Sequence, residues 1–146
     1  MKASDILRSK PSGVSTIAPD RTVKNAADRL RLENIGTLVV TEGGKPQAKL
    51  LGLISERDIV RAYSRHGDWL SSLLVRDLMT PAVACAPGDD LRNIMAAMTR
   101  ERVRHLPVLE GGRLVGIISI GDAVKGRLHD LELEASVLRD AYMAVH

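Results

Sequence analysis

The sequence predicts a mixed α/β (α+β) fold built from two pseudo-symmetric β-α-β-β-α repeats packed sheet to sheet, with an additional C-terminal helix. Three observations support it. An apolar strand followed by Ser-x-x-Asp occurs twice, at residues 50–58 and 114–122. A second apolar strand and a Gly-Gly pair precede each copy. A segment with helical spacing of apolar residues comes before those strands in both halves. A unit repeated in the same order indicates the architecture, because one such unit has little core of its own.

The first elements of each repeat follow in the same order along the chain. A short helical lead-in at residues 3–7 corresponds to one at 75–79, and short extended segments follow at 14–17 and 82–85. Apolar residues then recur at the spacing of an amphipathic helix, so one such helix is predicted in each half. These residues are Val23, Ala26, Ala27 and Leu30 in the first half, and Leu91, Ile94, Met95 and Met98 in the second.

The starts of these helices and the turns after them also have matching signals. Asp20 and Asp89 are expected to cap the helix N-termini or to supply negative charge there. The pairs Gly43-Gly44 and Gly111-Gly112 each lie between two apolar strands and predict hairpin turns. Neither pair belongs to a phosphate-binding P-loop, because the Gly-Lys-Ser/Thr sequence is missing at the required spacing.

The C-terminal segment has a different pattern. Its apolar residues alternate spacings of three and four, as the a and d positions of a coiled coil do, and they are Leu128, Leu131, Ala135, Leu138, Tyr142 and Val145. Two interpretations remain open, namely an amphipathic helix docked on its own domain and a helix seam in a dimer. We expect a first repeat with its lead-in at residues 1–70, a second repeat at 71–126 and the C-terminal amphipathic helix at 127–146.

Composition excludes several classes of protein. Hydrophobic residues make up 45% of the chain and aromatic residues only 2%, so the core must be aliphatic. The net charge of +3 is spread along the chain, and with so few aromatic side chains to stack on bases, nucleic acid is an unlikely partner. No apolar run approaches the roughly 18 residues of a membrane span, and no signal-peptide core is found at the N-terminus, so no membrane association is expected.

The number and positions of the cysteine and histidine residues argue against a catalytic site or a metal site. Cys85 is the only cysteine and is expected to be a small buried side chain in a reduced, cytoplasmic protein. The four histidines, His66, His105, His129 and His146, are too scattered to predict a metal site. No Ser/His/Asp or Cys/His combination is suggested either. We therefore expect no enzyme activity, no catalytic residue and no required cofactor.

The two Ser-x-x-Asp motifs, Ser55 to Asp58 and Ser119 to Asp122, allow a structural and a functional interpretation. Serine at the N-cap with an acidic residue three positions later is close to a capping box, and this role alone would explain both pairs. A helix N-terminus also offers amides and partial positive charge to an anion, and a carboxylate beside it can accept both hydroxyls of a ribose.

Four stretches carry a resemblance to a known family. Residues 75–80, 102–108 and 114–122, with residues 50–58 as the first-repeat counterpart of the last stretch, resemble a tandem pair of cystathionine-β-synthase (CBS) domains, the Bateman module. The match covers about residues 1–126. No enzyme, channel or transporter domain accompanies the pair, so we expect a stand-alone CBS-domain protein.

The resemblance implies a function and a set of site residues. It implies a regulatory module that binds an adenine nucleotide (AMP, ADP, ATP or NAD) between the repeats, usually as a homodimer formed through the repeats. The implied ribose anchors are Asp58 and Asp122, with Ser55 and Ser119 beside them. The implied phosphate contacts are Arg104 and His105.

The first repeat departs from this pattern. Gly36 and Thr37 stand where the second repeat has Arg104 and His105 and bring no charge, so the Asp122 site is expected to bind more tightly. Thr37 is still a candidate nucleotide-binding residue of the first repeat. Arg57 or Arg61 is a possible substitute cation at the Asp58 site. The asymmetry would also suit a dinucleotide laid across the cleft.

The sequence also suggests an adenine contact and an alternative function. Ile35 and Val103, at matching strand edges, are candidates for apolar contact with adenine. The alternative function is a protein-interaction scaffold with no small-molecule ligand, and the regulated protein is unknown in either case.

Overall fold

The computed structural model of the chain describes residues 1–10 and 13–145. Short 3-10 helices lie at Glu42–Gly44 and Gly67–Ser72. The mixed α/β (α+β) class and the C-terminal helix are confirmed. The helices and strands, in chain order, are α1 (Ala3–Arg8), β1 (Thr16–Ile17), α2 (Val23–Glu33), β2 (Thr37–Thr41), β3 (Leu50–Ser55), α3 (Glu56–His66), α4 (Val75–Leu78), α5 (Leu91–Glu101), β4 (His105–Glu110), β5 (Arg113–Ser119) and α6 (Ile120–Val145).

Two small sheets, one in each half, carry the repeat. In the first sheet β2 pairs with β1 in parallel and with β3 in antiparallel orientation. In the second sheet β4 and β5 pair in antiparallel orientation. A single parallel bridge from Cys85 to Val108 stands where the first repeat has β1. Burial, followed by the charge of Asp89, raises the pKa of the Cys85 thiol to about 11, so the thiol is protonated at neutral pH.

Both Gly-Gly pairs form the turns that were predicted. Gly111 and Gly112 join Glu110 to its ladder partner Arg113, and both glycines have positive φ, 57° and 79°. Two consecutive left-handed residues are what a tight two-residue hairpin requires, and glycine adopts them without strain. In the first repeat the connection is longer because the Glu42–Gly44 turn is followed by further residues before β3.

The predicted helix caps are wrong by two residues in one helix and by one in the other. The hydroxyl of Thr22 accepts a hydrogen bond from the Asn25 amide at 3.1 Å and caps α2. The carboxylate of Asp90 accepts one from the Arg92 amide at 2.8 Å and caps α5. Asp20 and Asp89 lie too early, because a cap must immediately precede the first helical residue.

The core is divided into two aliphatic clusters, and each lead-in helix belongs to the cluster of the opposite half. Ala3 and Ile6 of α1 are buried with α5, β4 and β5, whereas Val75 of α4 is buried with α2, β2 and β3. Gly116 of β5 has no room for a side chain because Leu7 packs directly against it. This exchange ties the two halves together. The boundaries at residues 70 and 126 stay predictions.

The last helix is longer than its repeat requires. Helix α6 runs without a break past residue 126, and Ala123 and Gly126 near its start are buried. The N-terminal ammonium pairs with Asp130 at 3.3 Å, and residues 131–145 beyond this contact are exposed. The described part of the helix is therefore docked on its own domain only at its beginning. In the part of the chain that the structure describes, no helix has both the length and the apolar character needed to cross a membrane.

Candidate functional site

The first Ser-x-x-Asp motif forms a complete capping box at the start of α3. The Ser55 amide donates to Asp58 Oδ2 at 2.8 Å, and the Asp58 amide donates to Ser55 Oγ at 3.2 Å. The Ser55 hydroxyl also donates to Asp58 Oδ2 at 3.0 Å. All three contacts that join this pair spare Asp58 Oδ1, which accepts no hydrogen bond within the described residues. The motif therefore stabilises a helix and still presents a carboxylate oxygen.

The second motif forms the same box at the start of α6 but has an additional partner. The Ser119 amide donates to Asp122 Oδ2 at 2.9 Å, and the Asp122 amide donates to Ser119 Oγ at 3.1 Å. Lys10 reaches this carboxylate from the N-terminal segment, where its ammonium donates to Asp122 Oδ2 at 2.6 Å and to the Ile117 carbonyl at 2.8 Å. The structural interpretation of both motifs is thus confirmed, and the second motif also holds an ion pair.

The Lys10 contact stabilises the ionised form of Asp122 against the effect of burial. Burial raises the pKa of the Asp122 carboxyl, but the hydrogen bonds from Lys10 and Ser119 outweigh it, so the pKa lies below its ordinary value of 3.8. Both side chains are partly buried, at 29% exposure for Lys10 and 22% for Asp122. Asp122 is therefore ionised and already paired with a cation.

A cleft of about 520 Å³ lies between the two repeats, and residues of both halves line it. Six of the residues predicted for the site meet there: Thr37, Ser55, Asp58, Val103, Arg104 and His105. The remaining lining residues are Gly36, Leu53, Glu56, Arg57, Arg61, Thr80, Pro81, Val83, Glu101 and Arg102. The cleft therefore combines the carboxylate of one repeat with the basic side chains of the other.

Three predicted residues are not among the described residues that line this cleft. Ile35 packs against the core cluster of the first half. Ser119 and Asp122 lie at the start of α6, beside Lys10. The sequence predicted that Arg104 would serve Asp122, the acidic residue of its own repeat. In the structure Arg104 lines the same cleft as Asp58, because the cleft runs between the repeats.

His105 lies between the two carboxylate sites. It lines the cleft, and in the ladder of β4 and β5 its partner is Ser119. Burial lowers the pKa of His105, and the positive charges of Lys10 and Arg104 lower it further against the opposing effect of Asp122. His105 is therefore neutral at pH 7 and is a hydrogen-bonding group there.

Sequence reasoning assigned no role to Arg102 or Lys10. Arg102 ends α5 in the left-handed conformation, with φ 55° and ψ 43°, and lines the cleft close in sequence to Arg104. Its place two residues before Arg104 was a usable signal, because residues 102–105 all line the cleft. Lys10 carried no such signal, since its contact with Asp122 is created only by the fold.

The floor of the cleft is a close approach of two backbone segments. Leu53 and Thr80 exchange backbone hydrogen bonds, both at 2.9 Å. A Cβ on the neighbouring Gly52 would come within 2.5 Å of the Thr80 carbonyl oxygen, so this strand position requires glycine. The segment after α4 is thereby held against β3 of the first repeat, which makes this part of the cleft well defined.

The arrangement can bind an anionic ligand that also carries hydroxyl groups. The cleft presents arginines on both sides, together with the free carboxylate oxygen of Asp58 at a helix N-terminus. Within residues 1–10 and 13–145, no group of three or more His, Cys, Asp or Glu side chains is placed to hold a metal ion.

The chain is similar to known proteins over most of its length. A mitochondrial CBS domain-containing protein of Arabidopsis thaliana is 34% identical over 134 residues, which are 87% of this chain and 65% of that protein. The chain thus spans less than two thirds of that relative. A crystal structure of a CBS-domain containing protein from Agrobacterium tumefaciens has 39% identity and a TM-score of 0.80, and the match covers 86% of this chain and 92% of that chain.

A further solved structure shows a ligand. A CBS domain protein of Pyrobaculum aerophilum, complexed with AMP, has 28% identity and a TM-score of 0.73, over 84% of this chain and 89% of that chain. The family model of the CBS domain matches this chain twice, at residues 3–65 and 75–129. These two matches coincide with the two sheets and their helices, and the chain therefore belongs to the CBS domain family as a tandem pair.

Proposed function

We propose that the chain is a regulatory, non-enzymatic module that binds an adenine nucleotide in the cleft between its two repeats. The observation that carries this proposal is the meeting of Asp58 with Arg104 in one cleft of about 520 Å³. That volume lies within the roughly 300–1,000 Å³ of small-molecule sites. The AMP complex of the Pyrobaculum relative supports an adenine ligand and makes AMP the first candidate.

Each lining residue has a role in this proposal. Asp58 accepts the ribose hydroxyls through its free oxygen, and Ser55 positions it through the capping box. Arg104, with Arg102 beside it, binds the phosphate, and neutral His105 donates or accepts a hydrogen bond there. Val103 contacts the adenine ring.

Other predicted residues receive reduced roles. The hydroxyl of Thr37 donates to the Ile54 carbonyl at 3.2 Å, so Thr37 shapes the cleft. Ile35 contributes to the core instead of to the adenine contact. Arg57 and Arg61 are further cations in the same cleft, and with them a longer ligand such as ATP or NAD remains within the proposal. No cofactor is required.

Regulation follows from ligand contacts with both repeats. A ligand that binds only the folded, closed arrangement stabilises it by about 2.7 kcal/mol at one hundred times its dissociation constant. Occupancy would thus be transmitted as tighter packing between the repeats, to a regulated protein that is still to be identified. A homodimer formed through the repeats is part of the proposal, and the exposed Val60 and Tyr63 on α3 support it. The cytoplasmic location stays a prediction.

Calorimetric titration of AMP, ATP, NAD and S-adenosylmethionine tests the proposal on protein freed of co-purified nucleotide. Arg104→Ala should weaken binding about ten- to a hundredfold, because a charge-assisted hydrogen bond contributes roughly 1.5–3 kcal/mol. Arg113→Ala is the matched control, since Arg113 is exposed at the turn of the same hairpin and lies outside the cleft. Absence of binding by all four ligands would refute the nucleotide function and favour the protein-interaction scaffold.

A further inference from the structure

Helix α6 exposes one continuous apolar stripe. Its members alternate spacings of four and three residues, and we call them the α6 seam: Val124, Leu128, Leu131, Ala135, Leu138, Tyr142 and Val145. All of them are exposed; Leu128 is 54% exposed and Leu138 is 71% exposed. From Leu131 onward every described residue of the helix is exposed, so the aliphatic members of the stripe beyond this point are not buried against their own domain.

The period of the seam indicates another helix as its partner. Spacings of four and three average 3.5 residues, which is the repeat that keeps a seam facing a partner in a left-handed coiled coil. The seam extends over the 26-residue length of α6 almost from end to end, starting where the helix leaves the buried Ala123. An apolar stripe of this length is expected to be covered in solution.

The charges beside the seam indicate which helix is its partner and how that helix is oriented. Arg127 and Glu134 occupy the g positions, and Glu132 and Arg139 occupy the e positions. In a parallel, in-register pair, each g residue lies near the e residue of the following heptad on the other helix. Arg127 then meets Glu132 of a second copy, and Glu134 meets Arg139 of that copy. Both pairs are of opposite charge, and twofold symmetry doubles them.

We infer that α6 forms a parallel two-stranded coiled coil with α6 of a second copy of this chain. This contact does not depend on nucleotide binding, so it can fail or succeed independently of the proposed function. It would hold two CBS pairs side by side through their C-terminal helices, in addition to any contact between the repeats themselves.

Disulfide trapping tests the orientation on the full chain. Leu138→Cys is placed in a Cys85→Ala background and oxidised, with Leu133→Cys as the matched control, because Leu133 is exposed on the same helix but lies off the seam. Only a parallel pair brings the two copies of position 138 together, so Leu138→Cys should form a covalent dimer at least about tenfold faster than the control. Equal rates, or no covalent dimer, would overturn the inference.

Analytical sedimentation measures the dissociation constant of self-association. Leu138→Glu should weaken self-association by about tenfold or more, because burying a leucine contributes over one decade in the equilibrium constant, whereas Leu133→Glu should not. Glu134→Lys should weaken it and Glu134→Lys with Arg139→Glu should restore it. Circular dichroism confirms that each variant is folded. A dissociation constant that is the same for Leu138→Glu and Leu133→Glu, or no recovery in the double variant, would contradict the seam.

Discussion

The two Ser-x-x-Asp motifs share a local sequence and a local geometry, yet their carboxylates have different surroundings. Each aspartate accepts a hydrogen bond from the amide of its serine, at 2.8 Å for Asp58 and 2.9 Å for Asp122. Asp58 then opens onto a cleft with arginines of the other repeat, whereas Asp122 is paired with Lys10. The comparison teaches that the motif supplies a capped helix, and that residues distant in sequence determine what surrounds its carboxylate.

The largest expected effect is a difference in AMP affinity between variants of the two aspartates. We propose that Asp58→Ala weakens AMP binding by more than about a hundredfold, because the ribose loses its charged acceptor. Asp122→Ala should leave that affinity within about threefold of wild type. Both variants lose the carboxylate half of a capping box, and Asp122→Ala also loses the ion pair with Lys10, so thermal unfolding must show that both are folded at the titration temperature, with the larger stability loss in Asp122→Ala. Calorimetry measures the affinities. Equal loss of binding in both variants would show that the two sites are not distinct.

The second prediction concerns the number of nucleotides per chain. In the wild type, the Lys10 ammonium is held against the Asp122 carboxylate, and Asp122 is not among the described residues that line the cleft, so one nucleotide should bind per chain. Lys10→Ala should free Asp122 and add a second, weaker binding event. Equilibrium dialysis with labelled AMP counts the bound nucleotides. Arg8→Ala, an exposed change in the preceding helix, is the control. Two nucleotides bound per wild-type chain would contradict the role given to Lys10.

The third prediction is a difference in acid stability. The pKa of Asp122 in the folded chain lies below its ordinary value of 3.8, so the carboxylate contributes stability above that pH. This contribution is lost as the pH falls through the lower, folded-state pKa. In Lys10→Ala, about 1 kcal/mol of it should be missing at pH 7 and the acid-dependent loss should be smaller. Urea unfolding between pH 7 and 3 measures both. Parallel curves for the two proteins would refute the ion pair.

The smallest effect involves His105. Because burial and the nearby cations lower its pKa below 6.5, His105 is neutral at pH 7 and becomes charged only in acid. A phosphate in the cleft favours the protonated ring, so His105 should strengthen AMP binding a few-fold between pH 7 and 5.5, against the weakening caused by protonation of the phosphate itself near its second pKa of about 6. His105→Gln should remove the contribution of the histidine and leave that of the phosphate. His129→Gln, on the exposed surface of α6, is the control. The same pH dependence in the wild type and in His105→Gln would exclude a phosphate contact for His105.

Sequence reasoning predicted the architecture well because its signals are local. Helix spacing at Val23, Ala26 and Leu30, and the Gly111-Gly112 turn, depend on residues within a few positions of one another, and both are confirmed. Predicting a helix cap requires the exact first residue of the helix. The predicted cap of α2 was two positions too early, so Asp20 was named and Thr22 is the cap.

The candidate site was predicted only in part, since it is assembled between repeats. Asp58, Ser55 and Arg104 were all named, but proximity in sequence placed Arg104 with Asp122, whereas the fold places it across the cleft from α3. Lys10 could not be predicted at all, because it reaches Asp122 only after α1 packs against the second half. Contacts between distant segments depend on packing, which periodicity does not describe.

A crystal structure of the chain with AMP tests the central claim most directly. We expect one nucleotide per chain in the cleft, with its ribose hydroxyls on the carboxylate of Asp58 and its phosphate against Arg104 of the other repeat. The Lys10 ammonium would still lie on Asp122. A nucleotide whose ribose lies on Asp122, with Lys10 displaced and the Asp58 cleft empty, would contradict it.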